Sequence, residues 1–238
     1  MRRLFGILIL TTIVFSQATA QLALEFQSQY CSFDMGDLRK LQDDLFTSPV
    51  PMTKVTSFPS YFGFKGAAMY MLQNNIQLGL SYSYTSTGGR VQYKDYSGSI
   101  TGDQLTNATS IGVLARSYVA GNEKVKIGFS ATIAAEFTKL ALNNTIEIGA
   151  DATKSNDDFK STGIMMTPSL ILKYSPLKNF FLTAEVGYHF AINQDTYRWT
   201  GDGHSQLHMN GSNSALSPNW DGVRAGIGLG YLIHFKKP

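Results

Sequence analysis

Six ionisable residues stand out for their chemistry: the acids Glu25, Glu136 and Glu185 and the bases Lys65, Arg116 and Arg224. Carboxylates gathered in one space can trade protons, line a proton or ion path, or act as a catalytic pair; facing three cations, they make salt bridges instead. His204 and His208 have the spacing of two metal ligands on one helical face, and Ser205 beside His204 suggests acyl hydrolysis. They lie, however, in the Gly/Ser/Asn-rich stretch 193–220, where no helical pattern runs and no third ligand is evident, so no metal site is expected. Gly226-x-Gly-x-Gly lacks the spacing and following helix of a dinucleotide motif. Cys31 is the single cysteine, which excludes an internal disulfide. No cofactor is expected.

The elements that must position these groups are strands. In 76–84 the residues Ile76, Leu78, Leu80, Tyr82 and Tyr84 share one face and Gln77, Gly79, Ser81 and Ser83 the other. The same period of two runs through 125–138, where Val125, Ile127, Phe129, Ala131, Ile133, Ala135 and Phe137 oppose Lys126, Gly128, Ser130, Thr132, Ala134, Glu136 and Thr138. It recurs in 223–235, and more weakly in 22–30, 61–72, 109–119, 163–174 and 180–192. That makes about eight strands. Short connections at 73–75, 121–124 and 175–179 alternate with long ones at roughly 31–57, 86–107, 139–160 and 193–220, the asymmetry of short periplasmic turns and long extracellular loops.

Alternation alone fits a water-soluble barrel as well as a membrane one. The polar face decides the matter, because it is mostly Gly, Ser, Thr and Ala, suited to a crowded interior. All six ionisable residues fall on it, and a slip of one residue would turn every one toward lipid at a cost on the order of 10 kcal/mol in total. Aromatics on the apolar face gather near the strand ends, Tyr30, Phe62, Tyr82, Tyr84, Phe137, Phe190 and Trp220 toward the long loops and Tyr70, Tyr174, Phe180, Tyr231 and Phe235 toward the short turns, as two interfacial girdles. The expected fold is therefore all-β, an antiparallel up-and-down transmembrane barrel. Eight strands leave an interior just wide enough to be filled by side chains, so the six charges are expected to form a lumenal salt-bridge network.

The N-terminus fits export. Arg2 and Arg3, an apolar run from Leu4 to Phe15 and the small residues Ala18-Thr19-Ala20 have the layout of a signal peptide over 1–20, leaving 21–238 as one barrel domain. The apolar run of about twelve residues is too short to span a bilayer as a helix. Lys+Arg total 20 and Asp+Glu 17, and removal of two arginines brings the charge close to neutral, which excludes a nucleic-acid footprint. The segment 34–46 carries Leu38, Leu41, Leu45 and Phe46 at helical spacing and is expected to pack on the loop-side mouth.

The closing run Gly226-Ile227-Gly228-Leu229-Gly230-Tyr231-Leu232-Ile233-His234-Phe235 resembles the last strand of the small outer-membrane β-barrel proteins of the OmpA/OmpX/OmpW kind. The resemblance implies the outer membrane of a Gram-negative cell, with outer-membrane lipid around the barrel. It also implies that Gly230, Tyr231 and Phe235 form a signal read by the barrel assembly machinery during biogenesis. The loop asymmetry and the filled lumen favour a non-enzymatic structural or surface-interaction role, with any extracellular ligand held by the long loops. The alternatives are a lipid-modifying enzyme resembling a lipid A deacylase, and a narrow channel for small solutes.

Overall fold

The computed structural model describes residues 21–44, 52–73, 75–149, 151–209 and 214–234. The expected signal segment 1–20 and Phe235 lie outside them. In chain order the elements are β1 (Gln21–Cys31), α1 (Gly36–Asp44), β2 (Thr53–Ser57), β3 (Tyr61–Gln73), β4 (Ile76–Lys94), β5 (Gly98–Gly121), β6 (Val125–Ile148), β7 (Asp151–Tyr174), β8 (Phe180–Gln194), β9 (Arg198–Trp199) and β10 (Gly222–His234).

Eight of the strands close on themselves. Antiparallel pairing runs β1, β3, β4, β5, β6, β7, β8, β10 and back to β1, so the ring has no edge to satisfy in a medium without water. Period-two sequence becomes two-sided burial: Leu80, Ile111, Phe129, Leu170 and Ile227 are exposed on the outside, while Ser81, Ser110, Ser130, Ser169 and Gly228 point in. Tight turns join the strands on one side. Gly121, at φ 124, ends β5 where a Cβ would collide with the carbonyl of Val125, and Asn122 Oδ1 accepts from the N–H of Lys124 (2.9 Å) and Val125 (2.8 Å).

The opposite side differs from the expected long loops. β5, β6 and β7 each run 24 residues, more than twice the roughly 9–11 needed to cross a bilayer. The stretches 86–107 and 139–160 are the outer halves of these strands and of β4, paired without interruption from Ser86↔Asn107 to Lys94↔Ser99 and from Lys139↔Lys160 to Ile148↔Asp151. β2 adds to the β4 side of this projecting sheet and β9 to the β7 side. Outside the bilayer both faces meet water, so the alternation that marked the lower halves fades there.

An apolar cap closes this mouth. Phe33, Met35, Leu38, Phe58, Leu140, Tyr197, Leu216 and Trp220 form one buried cluster drawn from the segment after β1, helix α1, the residue following β2, strand β6 and the connections on either side of β9. Helix α1 arises within the expected 34–46; Leu38 and Gln42, four apart, share its buried face. Gly89 lets it approach, since a Cβ there would meet Gln42 and Phe58. Asp37 accepts from the backbone N–H and hydroxyl of Ser217, both at 3.1 Å, tying the helix to the last connection. Met35 (φ 47), Phe58 (φ 44) and Asn219 (φ 46) hold left-handed backbone inside this packing. Trp220 therefore belongs to no exterior girdle. Its ring is buried edge-on to Phe33 at 5.1 Å, and its Nε1 donates to Thr138 Oγ1 at 2.9 Å.

Candidate functional site: the occluded lumen and the projecting sheet

Because each inward residue is fixed by the pleat, charges from distant strands meet across the lumen. Glu25 (β1), Lys65 (β3), Arg116 (β5) and Glu185 (β8) form one buried cluster: Arg116 donates to Glu25 Oε2 at 2.5 Å and Oε1 at 3.1 Å and to Glu185 Oε2 at 3.1 Å, while Lys65 donates to both Glu185 oxygens at 3.1 and 3.3 Å. Gln27 bridges the two acids, donating to Glu25 and, at 3.0 Å, to Glu185; Thr183 donates to Glu25 at 3.0 Å. Two cations against two carboxylates, each with further hydrogen bonds, meet the condition for tolerating charge away from water. The arrangement holds four strands together and leaves neither carboxylate free to act as a base.

The other two predicted members stand apart. Glu136 accepts from Ser110 at 3.0 Å and pairs with His189 Nε2 at 3.2 Å, whose Nδ1 meets Thr167 Oγ1 at 2.8 Å. These groups border a lumenal cavity of about 50 Å³, large enough for water. Glu136 Oε1, Thr132 Oγ1 and Ser169 Oγ line it without a protein partner. Arg224 is a strut of the cap: it donates to the carbonyls of Ser32 (2.5 Å) and Trp220 (2.9 Å) and lies under the Phe33 ring.

Sequence reasoning passed over His189 and Lys173, although both sit at inward positions of segments it identified. Lys173 is buried on the short-turn side, 4.2 Å from the centre of the Phe181 ring. Phe181, Met69, Leu114 and Ala23 make a second buried apolar cluster there. Gly230, singled out as part of an assembly signal, makes room for Phe181, whose ring occupies the space a Cβ would need. Tyr231 faces outward and packs on Phe180 at 4.9 Å. The lumen thus has apolar clusters toward both ends with ionic and polar layers between them.

On the exterior, the segments between the aromatic rows carry apolar residues and no Asp, Glu, Lys or Arg among the described outward positions. Tyr30 packs on Phe62 and Phe26 on Phe64, both at 5.8 Å. Beyond the belt the polar chemistry is that of exposed turns. Arg90 and Asp103 pair bidentately across β4 and β5 (2.5 and 2.8 Å), which raises the guanidinium further. Bonds from the Ser205 hydroxyl and the N–H groups of Ser205 and His204 hold the Asp202 carboxyl down to about 2. The Ser205 hydroxyl is therefore directed to Asp202, not to His204. His204 and His208 are exposed, and no group of three metal-ligating side chains occurs among the described residues.

A closed ring of eight antiparallel strands, with an uncharged apolar belt outside and paired charges inside, defines a transmembrane β-barrel of the outer-membrane class. Several solved structures of such barrels are similar to this chain. They include the N-terminal β-barrel domain of Pseudomonas aeruginosa OprF (14% identity over 90% of this chain and 98% of that one, TM-score 0.35) and Neisserial surface protein A (15%, 92% and 98%, TM-score 0.41). A third is Ail, the attachment invasion locus protein of Yersinia pestis, in complex with the heparin analogue sucrose octasulfate (14%, 90% and 97%, TM-score 0.35). No protein-family model and no curated protein sequence matches the chain. The fold assignment rests on this chain's own strand pairing and burial.

Proposed function

We propose that the protein is a closed, non-enzymatic outer-membrane barrel with a structural or surface-interaction role: the lower strands anchor it in lipid, and the projecting sheet and cap carry any binding of an extracellular ligand. The occluded lumen is the observation that carries this reading. An open pore would need a continuous water column, whereas buried clusters pack around Trp220 and around Phe181, with a lumenal cavity of about 50 Å³ between them. This weighs against the narrow channel. The direction of the Ser205 hydroxyl gives no support to a lipid A deacylase.

The projecting half supports the surface role. Residues 151–157 of β7 pair with β6 on one flank, while on the other flank β9 pairs with Phe159 and Lys160 and the Asp158 carbonyl accepts from the Thr200 N–H at 2.8 Å. This leaves a run of backbone donors and acceptors outside the membrane, a form able to accept an extended strand. Asp151, Lys154, Asp157 and Asp158 stud that edge with charge, which discourages indiscriminate pairing. During biogenesis, Gly230, Tyr231 and Phe235 would present the last strand to the barrel assembly machinery.

Planar-bilayer recordings of the refolded protein test the reading. The expected result is a barrel that inserts without stepwise current; large, steady conductance would overturn it.

A further inference from the structure

We propose that Lys139, Lys160 and Arg198 form a binding site for the phosphate of a lipid headgroup on the outer flank of the barrel. The inference rests on the reading that the apolar exterior meets lipid, and adds which lipid chemistry is recognised and where.

The three residues come from different strands but share one rung. Lys139 of β6 pairs with Lys160 of β7, which pairs with Arg198 of β9. Directly paired residues point to the same face, so the cations form a row with about 4.8 Å between neighbouring strands. All three are exposed, and none forms an ion pair with a carboxylate among the described residues. Like charges on adjacent strands repel, and among the described residues no carboxylate lies within ion-pair distance of this row.

Its height on the barrel identifies the occupant. Phe137, two residues before Lys139 on the same outward face, is exposed beside Thr109 and Thr162, and Tyr84 ends that rung. Two strand residues advance about 6.7 Å, which takes the row from the aromatic girdle into the headgroup layer. A concavity of about 310 Å³ lies at the Arg198 end, walled by Lys160, Thr162, Asp195, Arg198, Trp199 and Thr200. Asp195 there accepts from the Thr162 hydroxyl at 3.1 Å, and Asp158 lies one rung further from the membrane. Three cations against these two carboxylates leave the site net positive. A Lys–Lys–Arg row beside lipid, with the Thr200 side chain next to it, matches a phosphate monoester carried on an acyl-anchored headgroup.

The test uses the refolded full barrel in neutral detergent micelles, with lipid A and its dephosphorylated form as probes and native mass spectrometry as the readout of bound lipid. Lipid A is expected to bind the wild type about 100-fold more tightly than K139A/K160A/R198A, about fivefold per charge. Dephosphorylated lipid A should bind both proteins as weakly as that variant binds lipid A. K154A, changed on the same face of β7 but six residues beyond Lys160, should match the wild type. Equal binding by wild type and triple variant, or equal binding of the two lipids, would overturn the proposal. Full competition by equimolar inorganic phosphate would overturn the lipid assignment in favour of a free-anion site. Heat-modifiable gel migration separates the two levels. If every protein keeps it while binding is lost, the phosphate site alone fails; if the wild type lacks it and dissolves without detergent, the lipid-facing exterior fails and takes the site with it.

Discussion

Replacing Arg116 by Met should destabilise the barrel by about 3 to 5 kcal/mol, the usual cost of removing one partner from a buried ion cluster. The side chain is fully enclosed and is the shared partner of Glu25 and Glu185. Without it Lys65, which pairs with Glu185 at 3.1 Å, faces two carboxylates alone. The loss is thus mainly an uncompensated charge, and less the deletion of a favourable contact. A second change separates these: Glu25→Gln in the Arg116→Met background restores one cation against one acid, and the double variant should recover much of the loss. Urea unfolding in micelles measures both. An Arg116→Met protein within about 1 kcal/mol of wild type would show that the cluster is not what holds these strands in place.

The second large effect concerns the exterior. Ile133 lies midway along the lipid-facing part of β6 and is exposed outward. Arginine there should cost about 2 to 4 kcal/mol, because the charge sits at the hydrocarbon midplane. Ala141 has the same facing on the same strand, eight residues further toward the projecting hairpin. Arginine at Ala141 should cost at most about 1 kcal/mol, as expected near or beyond the interface. Urea titration in phospholipid vesicles reads the contrast between the two. If the outside of the ring faced water, both would behave as ordinary surface substitutions, within about 0.5 kcal/mol of wild type.

The membrane-spanning half of the fold was legible because lipid on one side and a packed lumen on the other impose opposite demands on alternate residues. Val125 to Phe137 obeyed that demand at every outward position. Above the girdle the demand disappears: Asn143, Asn144 and Thr145 continue β6 with no contrast between faces, so alternation predicts a loop where the strand continues. Trp220 failed for a related reason. An aromatic residue at a strand end has the same local pattern whether it faces an interface or a cap, and only the inward turn at Asn219, with φ 46, decides. The partners of Arg224 have no trace in the pattern, since backbone carbonyls of a connection carry no signature in sequence. His189 and Lys173 were available from parity alone. The charged cluster could be anticipated as a set, but pairing Arg116 with both Glu25 and Glu185 needed the strand stagger, which alternation does not encode.

The most direct test of the central claim is tryptophan quenching by lipids brominated along their acyl chains. Trp is placed at Ile133 in the otherwise native protein. The native tryptophans serve as references, Trp220 buried in the cap and Trp199 on β9 beyond the girdle. The account predicts strong quenching of the added fluorescence at Ile133 and little change in the native signal. An Ile133→Trp protein that fluoresces equally in brominated and ordinary vesicles would contradict it.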